Sequence, residues 1–157
     1  MKKKIKMIIS IIMVLFIIQY FIYKKNTNDI EKINFNDIQS IKIESTCGYL
    51  SPTYIYIINF FDNSIMHKIE DSNESEKFYT EFNNKDLEFF MNKANLYGFF
   101  HWNESYNNPY VDDGKSINIH INFKDGSIKE TYCYADFPLT YDLMADVFYE
   151  AFGYHIL

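Results

Sequence analysis

The chain has 157 residues, of which 48% are hydrophobic and 19% aromatic, which suits one folded domain and excludes a disordered chain. Its 15 basic residues are all Lys and stand against 21 acidic ones. This net charge of -6 without any Arg argues against nucleic-acid binding. Two Cys are too few for a disulfide scaffold or a structural zinc site, and we expect no metal and no cofactor.

An apolar segment near the start of the chain predicts a membrane anchor. Residues 7–23 carry no charge, and as a helix they would span about 26 Å, which matches a bilayer core. Four Lys precede the segment, two follow it, and no small-residue cleavage pattern comes after it, which favours an uncleaved anchor over a cleaved signal peptide. The greater Lys count before the segment predicts that the N-terminus lies inside and the rest of the chain outside.

Charge divides the chain into an anchor (1–25), a polar tether (26–36) and an expected soluble domain (37–157). The anchor carries six Lys and no acid, whereas residues 26–157 carry nine Lys and 21 acidic residues, a net charge of -12. We therefore expect contact with the lipid bilayer through residues 7–23, while the acidic domain stays off an anionic membrane surface.

The first half of the domain has the pattern of successive strands. Strand character begins at Ile38 and leads to Cys47, and the strongest predicted strand is 53–61, with apolar residues on both faces. We expect that strand to be central and covered on both sides. A tight turn then leads into a strand over 64–70, and a strand is favoured over a short helix at 77–82.

Apolar stripes at helical spacing predict two helices. The first begins at a cap formed by Asn83 or Asn84 and ends at Gly98, and the second covers 138–152 and ends at Gly153. The stripes are Leu87, Phe90, Met91, Ala94 and Tyr97 in the first helix, and Leu143, Met144, Val147, Phe148, Ala151 and Phe152 in the second.

Between the helices, residues 116–123 alternate in polarity, and Asp125-Gly126 signals a two-residue hairpin turn. That turn would pair Ile121 with Glu130 and leave Glu130 as the only break in an apolar face. The order strands, helix, hairpin, helix predicts an α+β domain. We expect an antiparallel sheet of about 4-5 strands with two helices packed on one face, preceded by a single N-terminal transmembrane helix.

The loop after the first helix holds the candidate binding residues, which are Trp102, Tyr106, Tyr110, Asp112 and Asp113. Aromatic rings beside carboxylates and amides can form a platform for a sugar or a peptide. In the alternative, which we favour, Trp102 anchors the loop in the core while Asp112, Asp113 and Gly114 form a turn.

Cys47 and Cys133 have two interpretations, a disulfide in an extracytoplasmic domain or two unpaired thiols. No catalytic residue is assigned, because the sequence contains no nucleotide-binding, metalloprotease or hydrolase motif and no His pairs with a carboxylate in the predicted hairpin. The acidic stripe of Asp142, Asp146 and Glu150 is interpreted as a solvated helix face, with a docking surface for a basic partner as the alternative.

The C-terminal half resembles a group of small Firmicutes domains of unknown function that often follow a lipoprotein signal or a single anchor. The motifs that carry the resemblance are Trp102, Asp113-Gly114, Asp125-Gly126, Phe137-Pro138 and the terminal helix, within residues 38–153. The stretch from Cys47 to Tyr54 is also similar to a Cys-x3-Cys-Pro-x-Tyr segment in one such family, with Ser51 in place of the second Cys. The resemblance implies a fold type and a surface location, and no activity.

These observations predict a membrane-anchored, extracytoplasmic, non-catalytic binding module at the bacterial cell envelope, whose partner is an envelope protein or a glycan. One alternative is an envelope enzyme that acts on cell-wall material through carboxylates assembled by the fold. Another is an immunity-type protein that neutralises a toxin. A third keeps the domain in the cytoplasm, which free and reduced cysteines would favour.

Overall fold

The computed structural model describes residues 33–48, 51–70 and 75–157, and the fold belongs to the compact unit Ile33–Leu157. The predicted membrane segment at 7–23 lies outside the described residues. Within the described ranges, no helix is both long and apolar enough to cross a membrane.

The domain is α+β, as predicted, with two α-helices and a seven-stranded sheet. The strands are β1 (Ile38–Cys47), β2 (Thr53–Asn59), β3 (Ser64–Glu70), β4 (Ser75–Glu81), β5 (Ser105–Asn107), β6 (Lys115–Phe123) and β7 (Ile128–Tyr134), and the helices are α1 (Asn84–Leu96) and α2 (Tyr141–Phe152). The expected count of about 4-5 strands was too low. The strand favoured at 77–82 is present as β4, whereas β5 was not predicted at all.

The sheet has the order β4-β3-β2-β1-β6-β7-β5, so the first strand of the described residues lies at its centre. Neighbouring strands are antiparallel except β5 and β7, which are parallel and make the sheet mixed. At the centre, Ile43 of β1 is paired with Tyr56 of β2 on one side and with Ile119 of β6 on the other.

Both helices pack against one face of the sheet. The buried aliphatic side chains on that face are Ile41, Ile43, Ile58, Ile65, Ile117, Ile119 and Ile121. Phe90 of α1 and Phe148 of α2 meet above them, with ring centroids 5.0 Å apart. Burying this many large side chains supplies the main driving force for folding, because each contributes about 1.5–3 kcal/mol when removed from water.

The other side of the sheet, here called the open face, is mostly polar. Its side chains include Lys42, Glu44, Lys68, Asn118, His120, Glu130 and Tyr132. The expectation that β2 is covered on both sides is only half right, because Tyr56 and Ile58 face the helices while Ile55 lies on the open face. Ile55 is buried there between its sheet neighbours Glu44 and Lys68, whose side chains flank it.

The hairpin between β6 and β7 differs from the prediction by one residue. Its loop has three residues, closed by a 2.9 Å hydrogen bond from the Phe123 N–H to the Ser127 carbonyl, and Gly126 takes a left-handed φ of 87°. Ile121 is therefore paired with Lys129, and Glu130 is paired with His120. A one-residue shift exchanges the two faces of a strand, so Glu130 lies on the open face and no longer breaks the core.

The helix boundaries follow their caps. At the start of α1, the Asn83 side chain accepts from the backbone N–H groups of Lys85 and Asp86, and the Asp86 carboxylate accepts from the Asn83 N–H in return. The helix α2 begins at Tyr141, later than predicted. Leu143, assigned to its apolar stripe, is instead exposed.

Candidate functional site

Trp102 is a structural anchor of the loop after α1. Its side chain is 5% exposed, and its Nε1 donates to Thr140 Oγ1 at 3.1 Å. Thr140 in turn donates to the Tyr97 carbonyl at 2.9 Å, so one hydrogen-bonded chain links this loop to the end of α1 and the start of α2. Because Trp102 is buried, it does not contribute to an exposed aromatic platform.

The other loop residues singled out in the sequence have separate surroundings. Tyr106 is half-buried and its Oη accepts from the Asn103 N–H at 3.0 Å, whereas the Tyr110 side chain is 94% exposed. The Asp112 carbonyl accepts from Tyr134 Oη at 2.9 Å. These loop residues therefore do not form one exposed platform, and their recorded hydrogen bonds hold the loop to itself and to β7.

Asp113 lies against the end of β1. Gly48 has a φ of 87°, and a Cβ at that position would lie 2.8 Å from Asp113 Oδ1. Glycine is thus required at Gly48 both for the backbone conformation and for the close approach of the carboxylate.

Cys47 and Cys133 are free thiols, the first exposed and the second buried. Cys47 lies on β1 and Cys133 on β7, with β6 between them. Two strand spacings amount to about 10 Å, beyond the roughly 7 Å that a disulfide spans between Cα atoms. Burial, assisted by nearby Asp136, raises the pKa of the Cys133 thiol to about 11, so this thiol stays protonated and unreactive.

Cys47 has a neighbour that the sequence alone did not reveal. Lys115 is directly opposite Cys47 in the β1–β6 register, and its Nζ donates to Tyr141 Oη at 2.6 Å. Burial lowers the pKa of Lys115 and raises the pKa of Tyr141. The pair closes the end of the core next to the first turn of α2.

A second aromatic cluster surrounds His67 on β3. The imidazole stacks on the Tyr56 ring at 4.4 Å between centroids and meets the Phe78 and Tyr154 rings at 6.0 and 5.8 Å. Its Nε2 has no hydrogen-bond partner among the residues that the structure describes, and burial lowers the pKa of His67. The packing of the imidazole among three aromatic rings is a structural arrangement, and no carboxylate is recorded against His67 in the described residues.

The open face carries a groove of about 730 Å³ at the β5–β7–β6 end of the sheet, here called the β7 groove. Its lining residues are Glu104, Ser105, Asn118, Ile119, His120, Ile128, Lys129, Glu130, Thr131 and Tyr132. Ile128 and Tyr132 are 60% and 40% exposed, so the groove offers apolar surface beside carboxylates and amides.

A line of charged and polar groups crosses three strands at this groove. His120 Nδ1 lies 3.2 Å from Glu130 Oε1, and its Nε2 lies 3.9 Å from Glu44 Oε2. Glu44 also pairs with Lys42 at 2.6 Å. Sequence reasoning missed the His120–Glu130 pair because a two-residue turn places Glu130 opposite Ile121, and the three-residue loop moves it by one position.

The outer edge of β7 is only partly covered. In the described part of the chain, β5 pairs with Tyr132–Tyr134 and no strand flanks Ile128–Thr131 on that side. The backbone of Tyr132 faces outward, since its N–H donates to the Glu104 carbonyl at 2.9 Å. Ile128 and Glu130, which are two and four residues earlier, face the same way because hydrogen-bonding direction alternates along a strand.

Metal binding finds no support in the described ranges, where no group of three or more His, Cys, Asp or Glu side chains is placed to hold an ion. The acidic side chains Asp142, Asp146 and Glu150 are exposed on α2, on the helix side of the domain.

A scan against protein-family models and a search of curated proteins both gave no match to this chain. The resemblance to small Firmicutes domains therefore stays a prediction from the short motifs quoted above.

Proposed function

We propose that this chain is a membrane-anchored, extracytoplasmic binding module of the bacterial cell envelope, and that the β7 groove is its ligand surface. The groove carries the proposal, because it places two exposed apolar side chains, Ile128 and Tyr132, beside Glu130 and Asn118 on a face that the helices leave uncovered. Partly exposed aromatic anchors among hydrogen-bonding groups are typical of binding surfaces.

The anchor and the orientation rest on residues 7–23 and on the Lys flanking them. With the domain outside, its available partners are envelope proteins and cell-wall glycans. A toxin neutralised by an immunity-type protein would be one case of a protein partner held in the same groove.

An envelope enzyme is the second candidate, and His120 is the observation in its favour. A histidine beside a carboxylate is a common arrangement for a general base. Here, however, one ring nitrogen faces Glu130 and the other faces Glu44, so neither is directed at a substrate in the groove. This geometry favours binding over catalysis.

The groove is tested by hydrogen–deuterium exchange on the full chain in detergent micelles. The probes are solubilised peptidoglycan fragments and short peptides of either charge, and at least one should slow exchange over residues 118–132. The double variant Glu130→Gln/Tyr132→Ala should lose the effect, whereas Tyr149→Ala on α2 should keep it. If no probe slows exchange in the groove, the proposal is contradicted. If the wild type cleaves the glycan fragments and His120→Gln does not, the enzyme is favoured instead.

Orientation is tested by labelling intact cells with a membrane-impermeant maleimide. Exposed Cys47 should react without reduction or lysis, while buried Cys133 should not. The Cys47→Ser variant is the matched control and should show no labelling. Labelling of the wild type only after lysis would place the domain in the cytoplasm and refute the proposed location.

A further inference from the structure

We propose that the β7 groove takes an extended segment of a basic polypeptide, which adds as a strand to the outer edge of β7 beside Ile128 and Glu130. This inference rests on the proposed function, because it names the ligand class of the same groove.

The backbone of β7 supplies the first argument. Odd-numbered residues of β7 bond to β6, as shown by the pairing of Ile119 with Thr131 and by the 3.0 Å hydrogen bond from the Ala135 N–H to the Lys115 carbonyl. The even-numbered residues therefore direct their N–H and C=O groups outward. β5 takes up the last two of these positions, Tyr132 and Tyr134. In the described part of the chain, Ile128 and Glu130 have no neighbouring strand and present a strand edge of the kind that extended peptides complete.

The length of the free edge sets the size of the ligand. The four residues Ile128–Thr131 extend over about 13 Å, so a strand of three to five residues matches them. The groove lies along this stretch and is bounded at its far end by Glu104 and Ser105, where β5 begins.

The side chains supply the charge preference. On the open face, a strand added here would lie next to Glu130, with the Tyr132 ring within reach for a cation–π contact, and Glu104 would lie at the end of the groove where β5 begins. The one Lys of the groove lining, Lys129, has its Nζ bonded to the Trp102 carbonyl at 2.8 Å, on the helix side of the sheet. The exposed charged side chains of the groove lining are therefore Glu104 and Glu130, and Lys or Arg at alternate positions of a ligand would complement them.

The other edge of the sheet, β4, provides a contrast. In the described residues no strand pairs with its outer side, and it exposes Phe78 and Tyr79. The neighbouring carboxylate Glu70 is already paired with Lys68. At β7, by contrast, a strand edge without a neighbouring strand in the described residues runs along a groove that Glu104 and Glu130 line.

Strand addition is tested with fluorescein-labelled five-residue probes and the full chain in detergent micelles, by fluorescence anisotropy. One probe alternates Lys and Thr, a second has Glu in place of Lys, and two more carry backbone N-methyl groups on either the Lys or the Thr positions. The Lys probe should bind and the Glu probe should not. Only one of the two N-methylated probes should lose affinity, by about tenfold or more, because a strand edge bonds to alternate residues of its neighbour.

Protein variants separate the site from general attraction to an acidic domain. The double variant Glu104→Gln/Glu130→Gln should lower the affinity for the Lys probe about tenfold. The double variant Asp142→Asn/Asp146→Asn removes the same charge from α2 and should lower that affinity less than twofold. Equal weakening by both double variants would overturn the inference, since the peptide would then bind to net charge alone.

The remaining outcomes distinguish this inference from the proposed function. Equal binding of both N-methylated probes, with slowed exchange in the groove, would keep the binding module and overturn strand addition. If glycan fragments slow hydrogen exchange in the groove and the Lys probe does not, the binding module would likewise stand and strand addition would be overturned. No footprint from any probe would refute both.

Discussion

Trp102 is buried and anchors its loop, which is the interpretation that the sequence favoured over a binding site. It is the only Trp of the chain, and its indole packs edge-on against Phe99 at 4.9 Å between ring centroids. With its bond to Thr140, it joins the loop, α1 and α2 into one unit.

We therefore expect Trp102→Ala to destabilise the domain strongly. Replacing a buried Trp by Ala costs about 3–5 kcal/mol, through lost burial and the cavity left behind. Urea unfolding followed by circular dichroism measures the change. Tyr110→Ala, at an exposed position of the same loop, should change the free energy of unfolding by less than about 0.5 kcal/mol. Similar losses in both variants would show that Trp102 does not anchor the loop.

The Cys133 thiol should make stability depend on alkaline pH. Its pKa is about 11 in the folded domain, against about 9 when exposed, so the unfolded chain loses this proton first as the pH rises. The stabilising effect is complete below pH 9 and is lost as the pH rises from 9 towards 11. By pH 11 the free energy of unfolding has fallen by about 2 kcal/mol.

The measurement compares the free energy of unfolding of the wild type and of Cys133→Ala between pH 8 and 11. The difference isolates the thiol from the tyrosines and lysines that titrate in the same range. Parallel pH profiles of the two proteins would show that Cys133 ionises as readily in the folded domain as in the unfolded chain.

At the scale of the element, the hairpin between β6 and β7 fixes which side chains reach the groove. Gly126 has a left-handed φ of 87°, and a Cβ there would meet no atom within 4 Å. Gly126→Ala should therefore cost about 1 kcal/mol from backbone strain alone. Thermal unfolding tests this against Lys124→Ala in the same loop, which should be nearly neutral, and a neutral Gly126→Ala would contradict the assigned turn.

The cap of α1 gives a second prediction at this scale. Asn83→Ala removes the side chain that accepts from two helix N–H groups, at 2.8 and 3.2 Å, and should cost about 1 kcal/mol. Asn92→Ala, at an exposed position inside the same helix, should leave stability equal or slightly higher, because Ala is the better helix former. Chemical denaturation of both variants checks the difference, and equal effects would contradict the capping role.

Sequence patterns predicted most of these elements because local and tertiary preferences agree in them. The alternation over 116–123 and the stripe of α1 gave both the element and its buried face. The hairpin register was wrong because Asp125-Gly126 suits a two-residue turn as well as the last two positions of a three-residue loop.

β5 and the His120–Glu130 pair could not be predicted for related reasons. β5 has three residues with no apolar alternation, and its strand conformation comes from pairing with β7. The pair depends on the hairpin register and on β6 lying next to β1, and strand order is a tertiary property. The β7 groove depends on the hairpin register and on the strand order. It was therefore missed, even though each strand of the hairpin was predicted.

For the whole molecule, the sheet order predicts a gradient of local stability. β1 and β6 lie in the middle of the sheet, are flanked on both sides and carry several buried side chains, whereas β4 and β5 lie at the edges. Native-state hydrogen exchange should therefore be slowest at Ile41, Ile43 and Ile119, and fastest in β4 and β5. Slower exchange in β4 than in β1 would indicate that another part of the molecule covers that edge.

The central position of β1 also has a consequence for biosynthesis. β1 to β4 follow one another in the chain and can assemble as a meander once Glu81 has been made, but β1 lacks its second neighbour until β6 is complete at Phe123. At about 5–20 residues per second, the nascent chain therefore exposes an apolar strand edge for some seconds. A ribosome stalled between α1 and β6 would present that edge to other nascent chains. We expect truncations in this interval to self-associate or require a chaperone, whereas the full-length chain does not.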